Sequence, residues 1–124
     1  MATLTDACEI ELVDPDKVAA ARTALVSEGE AVALSEVFRL LGDPTRTRVL
    51  YALLEAGEMC VCDLVATVDV AQPKVSQGLR LLRNAGIVKH RRSGRMVYYS
   101  LADGHVRMIL DLSREHMRHD GIDG

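Results

Sequence analysis

Apolar residues recur along this chain with two periods, a helical one over most of its length and an alternating one near residue 90. The helical reading begins at Pro15 and runs to about Val26, with Asp14 as cap and Pro15 in the first turn. Ser27-Glu28-Gly29 breaks it. A second helix from Ala31 to Leu41 places Val32, Leu34, Val37, Phe38 and Leu41 at helical spacing. Gly42-Asp43-Pro44 is a stop followed by a start, with Asp43 as cap. The third helix continues to about Glu55, its Val49, Leu50, Leu53 and Leu54 facing inward, and Gly57 ends it. A short helix over Cys60–Val68, a turn at Asp69–Ala71 and a helix from Gln72-Pro73 to Asn84 have the helix-turn-helix layout. In its second helix Val75, Leu79 and Leu82 turn inward. Gln77 and Arg80 point out, with Lys74 and Ser76 at the flanks. Gly78 in mid-helix costs about 1 kcal/mol against Ala, and either permits close packing or is simply tolerated.

After Ala85-Gly86 the period changes. Ile87–Arg92 and Met96–Leu101 flank Ser93-Gly94 and read as a β-hairpin whose tip is ringed by Arg91, Arg92 and Arg95. A last helix over 104–118 carries an apolar stripe of Val106, Ile109, Leu110 and Met117, suited to a dimer interface. The fold class expected is mainly α with a small β-hairpin, a winged helix-turn-helix dimerising through its N- and C-terminal helices. Residues 1–13 form an arm, 14–119 the domain (helix-turn-helix 60–84, wing 87–101) and 120–124 a tail.

Composition narrows this. At 124 residues the chain is one domain, and 48% hydrophobic residues with only 3% aromatics favour packing by Leu, Val and Ala. No apolar run reaches the length of a membrane span. The acidic N-terminus lacks a signal layout, so a cytoplasmic location is expected. Three cysteines, an odd number, suit thiolate ligands in a reducing compartment better than a disulfide framework.

Charge adds the first functional pointer. From Val70 to Ala102 there is no Asp or Glu, while Lys74, Arg80, Arg83, Lys89, Arg91, Arg92 and Arg95 make the stretch +7; the net charge of −3 therefore leaves −10 elsewhere. One basic face on an acidic chain calls for a polyanionic partner. In a winged helix the second helix of the motif enters the major groove, where Gln72, Lys74, Ser76, Gln77 and Arg80 reach base edges or phosphates. Arg91, Arg92 and Arg95 of the hairpin meet phosphates or the minor groove. The plainer alternative is a solvated basic face.

Two ligand sets follow. Asp103, His105, His116 and His119 are a tetrahedral zinc-type set. On one straight helix His105 and His116 are about 16 Å apart along the axis, so one chain cannot close the site. At about 100° per residue the three histidines share one side, so two antiparallel copies close two identical inter-chain sites. The alternative makes Asp103 a helix cap and the histidines solvated. The other set is Cys60-Val61-Cys62 with Cys8 of the arm. Around a first helical turn, with the first Cys non-helical, both sulfurs can converge. The set suits Cd(II), Pb(II) or Zn(II); the alternative is two small buried hydrophobes and an incidental Cys8.

The segments Glu58–Leu64, Val75–Leu82, Ala85–Val88 and Tyr98–Leu101, followed by Asp103-x-His105, closely resemble the ArsR–SmtB family of metal-sensing repressors, over about Leu34 to His119. The arm Ala7-Cys8-Glu9-Ile10 also resembles that of the CadC-type cadmium, lead and zinc sensors within it. The resemblance implies a dimeric winged-helix repressor that binds operator DNA without metal and releases it with metal, derepressing efflux or resistance genes. It implies Zn(II) or Co(II) at Asp103, His105, His116 and His119, and a thiolate site at Cys60 and Cys62 joined by Cys8. Those sensors carry a second arm cysteine where this chain has Leu12, which favours three thiolates with a carboxylate or water. No membrane or small organic substrate is expected. His116-x-x-His119 lacks the Glu of a zinc peptidase helix, and four protein ligands leave no open position for a reacting water, so an enzyme is not expected. A thiol-redox repressor using Cys8, Cys60 and Cys62, and a metal buffer without DNA binding, are the rival readings.

Overall fold

The computed structural model describes residues 11–119. Within it run α1 (Pro15–Ala24), α2 (Glu28–Leu41), α3 (Pro44–Ala56), β1 (Met59–Cys60), α4 (Val61–Val68), α5 (Gln72–Asn84), β2 (Val88–Ser93), β3 (Met96–Leu101) and α6 (Gly104–His119). The chain forms two compact units, one ending at Leu34 and one starting at Ser35.

In the first unit Asp14 caps α1, its carboxylate accepting the Lys17 N–H at 3.1 Å, and Pro15 opens the helix as expected. The helix stops at Ala24 rather than Val26, and none of its residues is buried. The second helix starts at Glu28, three residues before the expected Ala31. Ser27 explains the difference. Its Oγ accepts the Glu30 N–H at 3.1 Å, and Ser27-x-x-Glu30 has capping-box spacing. The Ser-Glu-Gly run is therefore a start signal, not only a break.

In the second unit the corner between α2 and α3 is tied by three side chains. The Asp43 carboxylate accepts the Arg46 N–H at 3.0 Å, and that hydrogen bond holds its carboxyl below the ordinary value. Arg46 Nε donates to the Leu40 carbonyl at 2.8 Å, and Thr47 Oγ1 donates to the Leu41 carbonyl at 2.8 Å. The last carbonyls of α2 thus find partners that its own helix cannot supply. Below the corner, Leu50, Leu53, Leu64, Val68, Val75, Leu79 and Leu82 from α3, α4 and α5 are fully buried. Leu40, Ile87, Val88 and Leu110 complete this core.

Of the apolar positions expected at helical spacing on α2, Val37 and Leu41 pack on the core, whereas Phe38 is 67% exposed. The stripe on α6 divides in the same way. Val106 and Leu110 pack on the core, while Met108, Ile109, Leu112 and Met117 are exposed. One face of α6 is thus used within the chain, and its apolar remainder faces outward.

The expected hairpin is present, beginning at Val88 rather than Ile87, which is buried in the turn before it. Gly94 sits at φ +62° in the two-residue turn Gly94-Arg95. A positive φ at the first turn position alone is the type II′ pattern that suits strand twist. A third strand was not expected. β1 pairs with β3 antiparallel, Met59 opposite Tyr99 and Cys60 opposite Tyr98, giving the order β1-β3-β2. Cys60 therefore ends a strand and stands as the cap of α4, which begins at Val61, one residue after the expected Cys60. A two-residue strand has no period to detect.

Candidate nucleic-acid interface and metal-ligand sets

The core fixes which side of α5 looks outward. Val75, Gly78, Leu79 and Leu82 are buried. Gln72, Lys74, Gln77 and Arg80 are exposed, and Ser76 is half-buried. Gly78 now has a reason. A Cβ added there would meet the Arg46 Cγ at 3.2 Å, so the glycine clears the path of the Arg46 stem toward the carbonyls of α2. Lys74 and Gln77 line a small cleft with Asp43 and Arg46 beside that close approach.

In the wing, Arg92 pairs in register with Val97 and Arg95 lies in the turn, both exposed. Arg91 differs from the expected picture of a tip arginine. It lies opposite Tyr98 within the ladder, and its guanidinium is held by Glu58, Nε to Oε2 and Nη2 to Oε1, each at 2.7 Å. The same guanidinium stands 4.8 Å from the centre of the Tyr98 ring. The Arg91 hydrogen bonds hold the Glu58 carboxyl below its ordinary value. Sequence reasoning missed Glu58 because it lies 33 residues from Arg91 and is brought near by β1, the strand without a periodic signature.

Cys60 has extended backbone, φ −82° and ψ 168°, and α4 begins at Val61. That is the local geometry in which thiols at i and i+2 can face one way. Cys60 is buried and Cys62 exposed. Cys8 lies outside the described residues.

Asp103 Oδ1 accepts the N–H groups of His105 at 2.9 Å and Val106 at 3.1 Å, capping α6. The Val106 N–H, aided by that of His105, holds the carboxyl below its ordinary value. His105 Nδ1 stands 3.7 Å from the same oxygen. The cap occupies one carboxylate oxygen and leaves Oδ2 for another role. His105 and His116 are exposed on the uninterrupted α6, and the side chain of His119 lies outside the described residues. Among the described residues no three His, Cys, Asp or Glu side chains of one chain gather closely enough to hold a metal ion.

Residues 43–90 match the family model described as bacterial regulatory protein, arsR family. The chain is 38% identical over 113 residues to a cadmium resistance transcriptional regulatory protein CadC homolog of Staphylococcus aureus, spanning 91% of this chain and 93% of that one. It is 43% identical over 111 residues to a transcriptional repressor SmtB homolog of Synechocystis, spanning 90% and 83%. In three dimensions it resembles the solution structure of a homodimeric winged helix-turn-helix DNA-binding domain from Mycobacterium bovis. That match has a TM-score of 0.62 and 27% identity, and covers 77% of this chain and 94% of that one.

Proposed function

The chain belongs to the ArsR family of bacterial regulatory proteins, and from that premise we propose that it is a metal-responsive repressor whose dimer binds operator DNA and leaves it when a divalent metal binds. It is a transcriptional regulator and not an enzyme. The observation that carries the reading is the acid-free stretch of Val70–Ala102, folded as an exposed polar face of α5 beside a basic wing. Helix α5 enters the major groove, with Gln72, Lys74, Ser76, Gln77 and Arg80 toward the bases and nearby phosphates. Arg92 and Arg95 meet the backbone beside it.

Dimerisation is supported by the outward apolar side chains of α6, Met108, Ile109, Leu112 and Met117. Two antiparallel α6 helices bring Asp103 and His105 of one chain to His116 and His119 of the other. The donors, carboxylate and imidazole, fit Zn(II) or Co(II). Cys60 and Cys62, with Cys8 from the arm, offer soft thiolates to Cd(II), Pb(II) or Zn(II). Filled sites fix the spacing between the two winged-helix lobes, and an operator demands its own half-site spacing of about one helical turn. Linkage then makes DNA lower metal affinity by the factor with which metal lowers DNA affinity, typically about 1–3 kcal/mol.

The test titrates Zn(II) and Cd(II) into the protein with and without duplex DNA from upstream of its own gene. A metal-dependent loss of DNA affinity, matched by the reciprocal loss of metal affinity, supports a metal-released repressor. Metal binding with no DNA binding makes the protein a buffer, and release by oxidant but not by metal makes it a redox repressor.

A further inference from the structure

The Glu58–Arg91 pair joins two parts of the molecule that the sequence separates. Glu58 directly precedes β1 and the Cys60-Val61-Cys62 segment; Arg91 lies in β2, at the far edge of the sheet. Registers run Cys60 opposite Tyr98 and Tyr98 opposite Arg91, so these three residues form one row across the three strands. Residues opposite one another project to the same face. Glu58, two positions before Cys60, reaches along that face and takes two donors of the Arg91 guanidinium, which also lies over Tyr98.

We propose that Glu58 is a positioning residue for the wing: it holds Arg91 as a neutral pair, so that the wing meets DNA with Arg92 and Arg95 while the contribution of Arg91 is set by Glu58. The proposal rests on the DNA-binding reading. Among the described residues no carboxylate is paired with Arg92 or Arg95, so the three wing arginines are not equivalent. Two parallel N–H···O bonds give a fork geometry that a single lysine-type contact would lack. A guanidinium so occupied keeps donors on Nη1 but carries no net charge with its partner. In counterion-release terms it displaces no cation from DNA. Removing the carboxylate charge while keeping its shape should restore one unopposed cation to the wing. The acid thereby restrains sequence-independent affinity, which is the background against which an operator must be selected.

The experiment measures binding of the wild type, Glu58→Gln, Arg92→Ala and Glu58→Gln/Arg91→Ala to a labelled mixed-sequence DNA duplex across a salt series. Thermal melts establish that each variant is folded. Glu58→Gln is expected to steepen the log–log salt slope by up to about 0.9, equivalent to about 3.5-fold more affinity lost between about 50 and 200 mM salt. The double variant should return to the wild-type slope. Arg91→Ala leaves the Glu58 carboxylate unopposed and so serves only within the double variant, whereas Arg92→Ala should flatten the slope by up to about 0.9. A role in sheet stability alone would weaken binding in Glu58→Gln without steepening the slope. An unchanged or shallower slope in Glu58→Gln, or a double variant whose slope stays as steep as that of Glu58→Gln, would overturn the proposal while leaving the DNA-binding reading intact. A folded wild type with no salt-dependent affinity for duplex DNA would overturn both.

Discussion

Arg46 shows how one side chain settles several local questions. Its N–H is capped by Asp43, its guanidinium closes the end of α2, and its stem explains a glycine inside α5. Gly78→Val should therefore cost about 1–3 kcal/mol in urea unfolding, the usual penalty of forcing volume into a tightly packed place. Arg46→Ala in the same chain should recover part of that loss, because the obstructing stem is gone. Strictly additive effects would show that the stem is not the obstacle. Asp43 supports a second prediction. Its folded carboxyl lies below the unfolded value, so its contribution is present above about pH 4 and lost as pH falls further toward the folded value. Asn also caps helices well. Asp43→Asn should thus change stability little at neutral pH and flatten its acid-side decline, as read by denaturant midpoints from pH 6 downward. A decline as steep as that of the wild type would remove Asp43 from the acid response.

Among elements, the proposed DNA-binding function assigns α5 and the wing separable duties. Gln77→Ala should cost roughly 1–3 kcal/mol on operator DNA and little on mixed-sequence DNA, since a base contact carries sequence information. Replacing Arg92 and Arg95 together should weaken binding to both and flatten the salt slope by up to about 0.9 for each phosphate no longer neutralised. If Gln77→Ala weakens both DNAs equally, α5 does not read bases. The elements were legible in the sequence where a period or cap was strong. Val75, Leu79 and Leu82 marked the inner face of α5, Asp43-Pro44 the start of α3, and Gly94 the hairpin turn. The start of α2 was misplaced because Ser27-Glu28-Gly29 holds a breaker and a cap in the same three residues. What stayed hidden depended on pairing across distance. Nothing local to Met59-Cys60 announces a strand, and without that strand the hold of Glu58 on Arg91 could not be read.

At the scale of the whole molecule, α6 divides its apolar residues between its own core and an outward face, and among the described residues no three ligand-type side chains of one chain gather closely enough to hold a metal ion. The cross-dyad arrangement has a sharp test. A heterodimer of His105→Ala and His116→Ala chains keeps one intact site and one doubly broken site. It should bind about one tetrahedral Co(II) tightly, while either parental homodimer binds none well. Equal weak binding by all three would mean that the ligands do not come from opposite chains.

The pairing of β1 with β3 also bears on the order in which the chain folds. The hairpin β2–β3 joins near neighbours in sequence, whereas Met59 meets Tyr99 only after a loop of about 40 residues is closed. Closure entropy rises with loop length, and β1 contributes only two paired residues toward it. β1 should accordingly dock after the hairpin has formed, and it should open by local excursions well short of global unfolding. Amide exchange at its ladder positions should be faster than at the centre of β3 facing β2. Cys60 is one of the two residues of β1, so the motion of that buried thiol is tied to the kinetics of a two-residue strand.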